Sequence, residues 1–187
     1  MHDDESIERL FSLAVEQVDS EDIRAQLLAI QEGTDAIELA QELTDDSSAD
    51  EANVAALIRE LNFAGKVKLA LKGNLAARTV LLKESNKQIQ LFVLSNPRLT
   101  DGEVTEIARN TNVDEAVLRA VAKDSQWMKS YAVKYNLVSN PKTPIDVSLQ
   151  WLKFIKDKDL RLLSRSKGVP QVVATHCRKL LEKRSGG

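Results

Sequence analysis

The feature that most restricts the fold is an internal recurrence. Leu94-Ser95-Asn96-Pro97-Arg98 returns as Val138-Ser139-Asn140-Pro141-Lys142, an offset of 44 residues. Downstream, Leu118 and Lys123 correspond to Leu162 and Lys167 at the same offset, and upstream Lys83-Glu84-Ser85 matches Lys123-Asp124-Ser125 at 40. The difference of four is about one helical turn, added in the stretch bearing Trp127. Two units, about 74–112 and 113–156, and a partial third follow, each read as three short helices. A unit of this size cannot bury its apolar side chains alone, so it must stack on its neighbours.

The punctuation between apolar runs supports helices throughout. Ile7, Leu10, Phe11 and Ala14 keep helical spacing, as do Ile23, Leu27 and Ile30, then Ile37, Leu39, Ala40 and Leu43. Ser20 and Thr34 stand where N-caps belong. Asp45-Asp46-Ser47-Ser48 breaks the pattern as a linker, and Ser48 with Glu51 has capping-box spacing ahead of Val54, Leu57, Ile58 and Leu61. Lys66–Leu71 reads as a short basic helix stopped by Gly73-Asn74. Further helices are expected over 75–84, 87–95, 101–110, 113–124, 126–139, 144–155, 158–167 and 170–183. Thr100 with Glu103 and Asn112 with Glu115 have cap-and-return spacing, and Thr143-Pro144 places a cap before a first-turn proline. Asn96-Pro97 and Asn140-Pro141 end helices, because a residue before proline avoids the α region. Gly168 and Pro170 stop one helix and start the next.

The 44-residue period lies in the range of HEAT and armadillo repeats. Asn140-Pro141-Lys142-Thr143-Pro144 followed by Val147, Leu149 and Leu152 resembles the variant leucine-rich repeat pattern. Ser95–Thr100 with Val104, Ile107 and Ala108 resembles it more loosely, with Asp101 in place of the second proline. The resemblance covers about residues 74–184 and implies an α-superhelix; it implies no reaction. The cysteine-bound iron–sulfur segment that accompanies some variant repeats has no counterpart, since Cys177 stands alone. The expected architecture is therefore all-α: an acidic helical segment (1–47), connecting helices (48–73) and a short right-handed α-solenoid of three-helix repeats (74–187).

Composition agrees. The 187 residues include only 7 Gly, 4 Pro and 1 Cys, which disfavours an all-β fold and fits a reducing, cytoplasmic setting. The acidic start is the wrong charge for a secretory signal, and no apolar run reaches the roughly 18 residues of a membrane span. The net charge of −2 hides an asymmetry: residues 1–60 carry −14 and residues 61–187 carry +12. Such a split concerns partners or self-contact. The acidic segment can dock on the basic part, shield it, or face a different partner, including a second copy.

No reaction chemistry emerges from the pattern. His176-Cys177 are adjacent, so their side chains point about 100° apart on a helix and do not converge on one ion. Ser164-Arg165-Ser166-Lys167 has Ser-x-x-Lys spacing without companion motifs, and Gly73-Asn74 is too short to cradle phosphate. No catalytic, cofactor or metal residues are expected. Trp127, Tyr131, Tyr135 and Val138 fall on one face of the expected 126–139 helix, with Lys129 and Lys134 beside it. That stripe suits either packing between repeats or a stacking platform for single-stranded nucleic acid. Trp151 and Phe154 invite the same pair of readings, and packing is expected for both sets. Basic residues recur along the repeats, and Arg78, Lys87, Arg98, Arg119, Lys129, Lys134 and Lys142 are the candidate surface for an anionic partner. The expected function is a non-enzymatic protein–protein adaptor. Its alternative is a nucleic-acid-binding helical repeat, which a pI near 5.8 disfavours.

Overall fold

The computed structural model describes residues 4–16, 18–45 and 51–185, and all regular structure among them is helical. The described residues form twelve α-helices: α1 (Asp4–Glu16), α2 (Glu21–Glu32), α3 (Glu51–Glu60), α4 (Phe63–Lys72), α5 (Leu75–Leu81), α6 (Lys87–Leu94), α7 (Asp101–Arg109), α8 (Glu115–Lys123), α9 (Tyr131–Ser139), α10 (Ile145–Leu152), α11 (Asp157–Leu163) and α12 (Gln171–Ser185). Two 3₁₀ turns, Gln41–Leu43 and Trp127–Lys129, complete the regular structure.

Local side-chain caps set several helix starts. The side chains of Ser20, Asn62, Asn74, Asn86 and Asp114 accept hydrogen bonds from the first-turn amides of α2, α4, α5, α6 and α8. Helix α2 ends on Gly33, whose φ of 74° is the left-handed value that closes a helix. Thr34 belongs to that ending: its amide donates to the Ala29 carbonyl at 2.9 Å. The expected helix over 37–43 therefore does not start there. Asp35 accepts instead from the Ile37 amide at 2.8 Å, and Lys68 donates to both Asp35 and the Ile37 carbonyl. These bonds hold residues 34–40 outside any helix, and only the 3₁₀ turn at 41–43 remains. The Lys68 bond also holds the Asp35 carboxyl below its ordinary range. The Ser48 cap and residues 46–48 of the expected linker lie outside the described residues.

Two further helix expectations change. The 126–139 helix is broken at Ser130, whose backbone is extended (φ −67°, ψ 125°) and whose Oγ accepts from the Val133 amide at the start of α9. Trp127 thus sits in the preceding 3₁₀ turn, off the helix that carries Tyr131 and Tyr135. Asp114, and not Asn112, caps α8, with its carboxylate 2.8 Å from the Ala116 amide.

The chain divides into two compact units, Met1–Thr100 and Asp101–Gly187. The boundary falls inside the stretch expected as one repeat domain, not at 47/48 or 73/74. In the first unit, α6 buries Ile89 through Leu94, apolar but for Gln90, whose amide donates to the carbonyls of Leu82 and Glu84, so the helix must be enclosed. Helices α1 and α4 pack on it, α2 packs on α4, and α3 packs on α5. Phe11 of α1 meets Phe92 of α6 with ring centroids 5.4 Å apart. Asn74 donates to the carbonyls of Glu42 and Asp45, and Arg98 to that of Thr44. The acidic helices are thus built into this unit's core instead of forming a separate arm. Gly73 is required by close approach, because a Cβ there would lie 2.5 Å from the Leu69 carbonyl oxygen.

In the second unit α9 packs against α7, α8 and α10, and α12 against α10 and α11. A core of Val138, Leu152, Ile155, Leu160, Leu163, Val169, Val173 and Cys177 fills the C-terminal part. The recurring Asn-Pro turns explain themselves here. Asn96 is buried at the end of α6 and donates to the carbonyls of Ala70 and Gly73; its Oδ1 accepts from the Arg98 amide. Asn140, buried at the end of α9, donates to the carbonyls of Ala108 and Asn110 and accepts from the Lys142 amide. Each amide satisfies carbonyls left open at the end of an earlier helix, α4 in one case and α7 in the other.

Three turns in this unit share one construction. Oxygens of Asn110, Asn140 and Ser166 accept from the amide two residues on, and the third residue on (Val113, Thr143, Val169) is buried. Thr143 therefore fills an apolar slot and does not cap α10; its Oγ1 is buried without a hydrogen-bond partner. Thr143→Val, which places there the residue found at 113 and 169, is expected to stabilise the protein by about 1 kcal/mol. Urea denaturation followed by tryptophan fluorescence checks this, and an unchanged or lower midpoint contradicts it.

Candidate functional site

The candidate cations fall into distinct environments, and each unit holds its own set. In the first unit, Arg78 is buried, with Nη1 donating to the Gly73 carbonyl at 2.8 Å, so it is structural and not part of an exposed surface. The Arg98 guanidinium is tied to the Thr44 carbonyl, while Lys87 lies exposed at the start of α6. In the second unit, Arg119 of α8 makes a two-pronged pair with Asp146 of α10 at 2.6 and 3.0 Å. That pair holds the Asp146 carboxyl below its usual range and raises Arg119. Lys129 donates to the Gln126 side chain at 2.6 Å. Lys142 is exposed in the Asn140 turn. Lys134 points to an aromatic ring, as described next.

The aromatic residues separate in the same way. Trp127 is buried beside Met128, and Val138 belongs to the C-terminal core, which agrees with a packing role. Tyr131, Tyr135 and Trp151 are partly buried against that core. Phe154 departs from expectation: it is 49% exposed, in the turn between α10 and α11. Its ring lies 5.3 Å from Trp151, with the ammonium groups of Lys153 and Lys134 at 5.1 and 5.7 Å from its centroid. Lys156 sits 4.6 Å over the Tyr131 ring.

That turn is held from both sides. Arg184 of α12 donates to the carbonyls of Lys153 at 2.7 Å and Ile155 at 2.9 Å, and pairs with Asp157 at 2.5 Å. The Tyr131 hydroxyl accepts from the Lys156 amide and donates to Asp159. Burial and the Asp159 bond both push the Tyr131 phenol up, so it stays protonated and able to donate. Sequence reasoning missed Lys153, Lys156 and Arg184. The signal for Phe154 was its phase: Leu152 and Ile155 keep the core spacing at i and i+3, and Phe154 falls off it.

Side chains with reactive potential have structural surroundings. Cys177 is fully buried in the C-terminal core, and that burial pushes its thiol up to about 11. His176 Nδ1 lies 2.9 Å from the Val172 carbonyl one turn back, and the Ser164 hydroxyl donates to the Arg161 carbonyl. Among the described residues, no group of three or more His, Cys, Asp or Glu side chains is placed to hold a metal ion. No helix among them is long and apolar enough to cross a membrane.

The Cys177 thiol favours its neutral form when folded. Its burial is without penalty below about pH 9, and stability is lost as pH rises from there towards about 11, where the unfolded thiol ionises first. At pH 8, a disulfide reagent such as dithionitrobenzoate is expected to label Cys177 at least 100-fold more slowly in the folded protein than in urea. Equal rates would contradict its enclosure. No protein-family model, curated protein or solved structure matches this chain.

Proposed function

We propose that this protein is a non-enzymatic adaptor, a short right-handed stack of three-helix repeats of the HEAT, armadillo or variant leucine-rich kind, which binds an acidic partner protein. The equivalent use of Asn96 and Asn140 to close α4 and α7 supports the repeat reading. The observation that carries the partner's charge is local. Residues 126–187 hold 13 Lys+Arg against 4 Asp+Glu. Three of those four acids are engaged internally, Asp146 by Arg119, Asp157 by Arg184 and Asp159 by Tyr131. The surplus cations then steer and hold an anionic surface, with exposed apolar residues supplying affinity. A second copy of the chain is a competing partner for residues 1–47, where Leu28 is the large apolar side chain left half-exposed among the described residues.

The same cation surplus favours a polyanion, so nucleic acid is the second reading. Fluorescence anisotropy of the full chain separates them. The adaptor reading expects binding to a labelled glutamate-rich peptide, weakened by salt, and weaker binding to a thymidine oligonucleotide of similar charge. Preference for the oligonucleotide would contradict it.

A further inference from the structure

The turn joining α10 and α11 combines features that an ordinary surface loop lacks. Phe154, a large apolar side chain, is half-exposed there. Within the chain its ring meets Trp151 and the ammonium groups of Lys134 and Lys153. Yet the backbone on both sides is fastened: Arg184 holds the carbonyls of Lys153 and Ile155, and the Tyr131 hydroxyl holds the Lys156 amide. An anchor presented on a locked turn loses little conformational freedom on binding. Around it stand Lys134, Lys153 and Lys156, none with a carboxylate within 4 Å among the described residues. The Trp151 indole nitrogen is buried without a hydrogen-bond partner among the described residues.

We propose that this turn, with Phe154 as the anchor and Lys134, Lys153 and Lys156 around it, is the docking point for an acidic peptide segment of a partner protein. The segment lays an apolar side chain across Phe154 and sets carboxylates on the three ammonium groups. The inference rests on the adaptor reading and gives it a site. Charge complementarity selects an anion, and the exposed ring selects one with an apolar residue beside its carboxylates. A stacked nucleobase is the competing occupant, and the test below separates the two.

The test uses the full chain and a labelled glutamate peptide with a central leucine–phenylalanine pair, followed by anisotropy at low salt. Phe154→Ser is expected to weaken binding about 10-fold or more, as loss of a central aromatic anchor does. The double substitution Lys134→Gln with Lys153→Gln is expected to weaken it about 3- to 10-fold. Lys123→Gln, exposed on α8 and outside residues 126–187, should change it less than about 2-fold. In the unsubstituted protein the Trp151 indole N–H resonance should move on titration. Circular dichroism confirms that each variant is folded; the lysine pair, which leaves every apolar contact in place, serves if Phe154→Ser is not. Peptide binding that survives both sets of substitutions overturns this site while leaving the adaptor reading intact. Absence of peptide binding to the unsubstituted chain overturns both. A thymidine oligonucleotide that binds more tightly and is lost in the same variants, or self-association abolished by Phe154→Ser, assigns the turn to another partner and overturns the proposal.

Discussion

Replacing Phe92 with alanine is expected to destabilise the Met1–Thr100 unit by about 3–5 kcal/mol. Phe92 is completely buried at the centre of α6, a helix whose residues from Ile89 to Leu94 are all enclosed. Removing the ring takes away its own transfer free energy and leaves a cavity that Phe11, its tilted aromatic neighbour on α1, can fill only in part. Phe92→Leu, which retains most of the volume, should cost about 1–1.5 kcal/mol. The first unit holds neither tryptophan nor tyrosine, so urea unfolding is followed by far-ultraviolet circular dichroism. A loss below about 1 kcal/mol for the alanine variant would contradict the enclosure of α6 by α1 and α4.

Asn140→Ala is expected to destabilise the second unit by about 2–3 kcal/mol. The side chain is buried and makes three hydrogen bonds: two donated to the carbonyls of Ala108 and Asn110, one accepted from the Lys142 amide. A single deleted bond costs little on average, but this deletion strands the buried Ala108 carbonyl and the partly buried Asn110 carbonyl at the end of α7. Asn140→Asp separates the contributions. It keeps the acceptor for Lys142 and turns a carboxylate towards the two carbonyls, so it should destabilise at least as much as alanine. Both tryptophans, Trp127 and Trp151, lie in this unit, and their fluorescence reports its unfolding. A loss under about 0.5 kcal/mol for both variants would show that the clamp contributes little. Asn96→Ala, which removes the same construction from the first unit, should have a similar cost there.

The helical character of this chain was legible because it is carried by local chemistry. Ser20 caps α2 as its position demands, and the Asn-Pro pairs end α6 and α9 because proline constrains the residue before it. The misreadings arise where a neighbour in space overrides a local pattern. Residues 37–43 have helical spacing, but Lys68, some thirty positions away, holds the Ile37 carbonyl and Asp35 in a non-helical path. The 126–139 stretch has an unbroken apolar stripe, yet Ser130 restarts the helix and leaves Trp127 in the core. Thr143 has the composition of a cap and the position of a core residue.

The candidate surface was legible as charge and not as geometry. Counting cations cannot tell Arg78, buried on the Gly73 carbonyl, or Arg119, paired with Asp146, from an exposed lysine. Nor does spacing reveal that Arg184, about thirty residues downstream, fixes the turn that exposes Phe154. The Asn-Pro recurrence was visible as a pattern, but its physical purpose, closing the end of an earlier helix, is visible only once α4 and α7 are in place.

The central claim, that the cations of the second unit receive an acidic protein segment, is tested most directly by hydrogen–deuterium exchange on the full chain with and without the glutamate-rich peptide. Slower exchange is predicted in α9 and through the α10–α11 turn, residues 131–156, with little change in residues 1–100. Protection confined to the first unit, or none at saturating peptide, would contradict it.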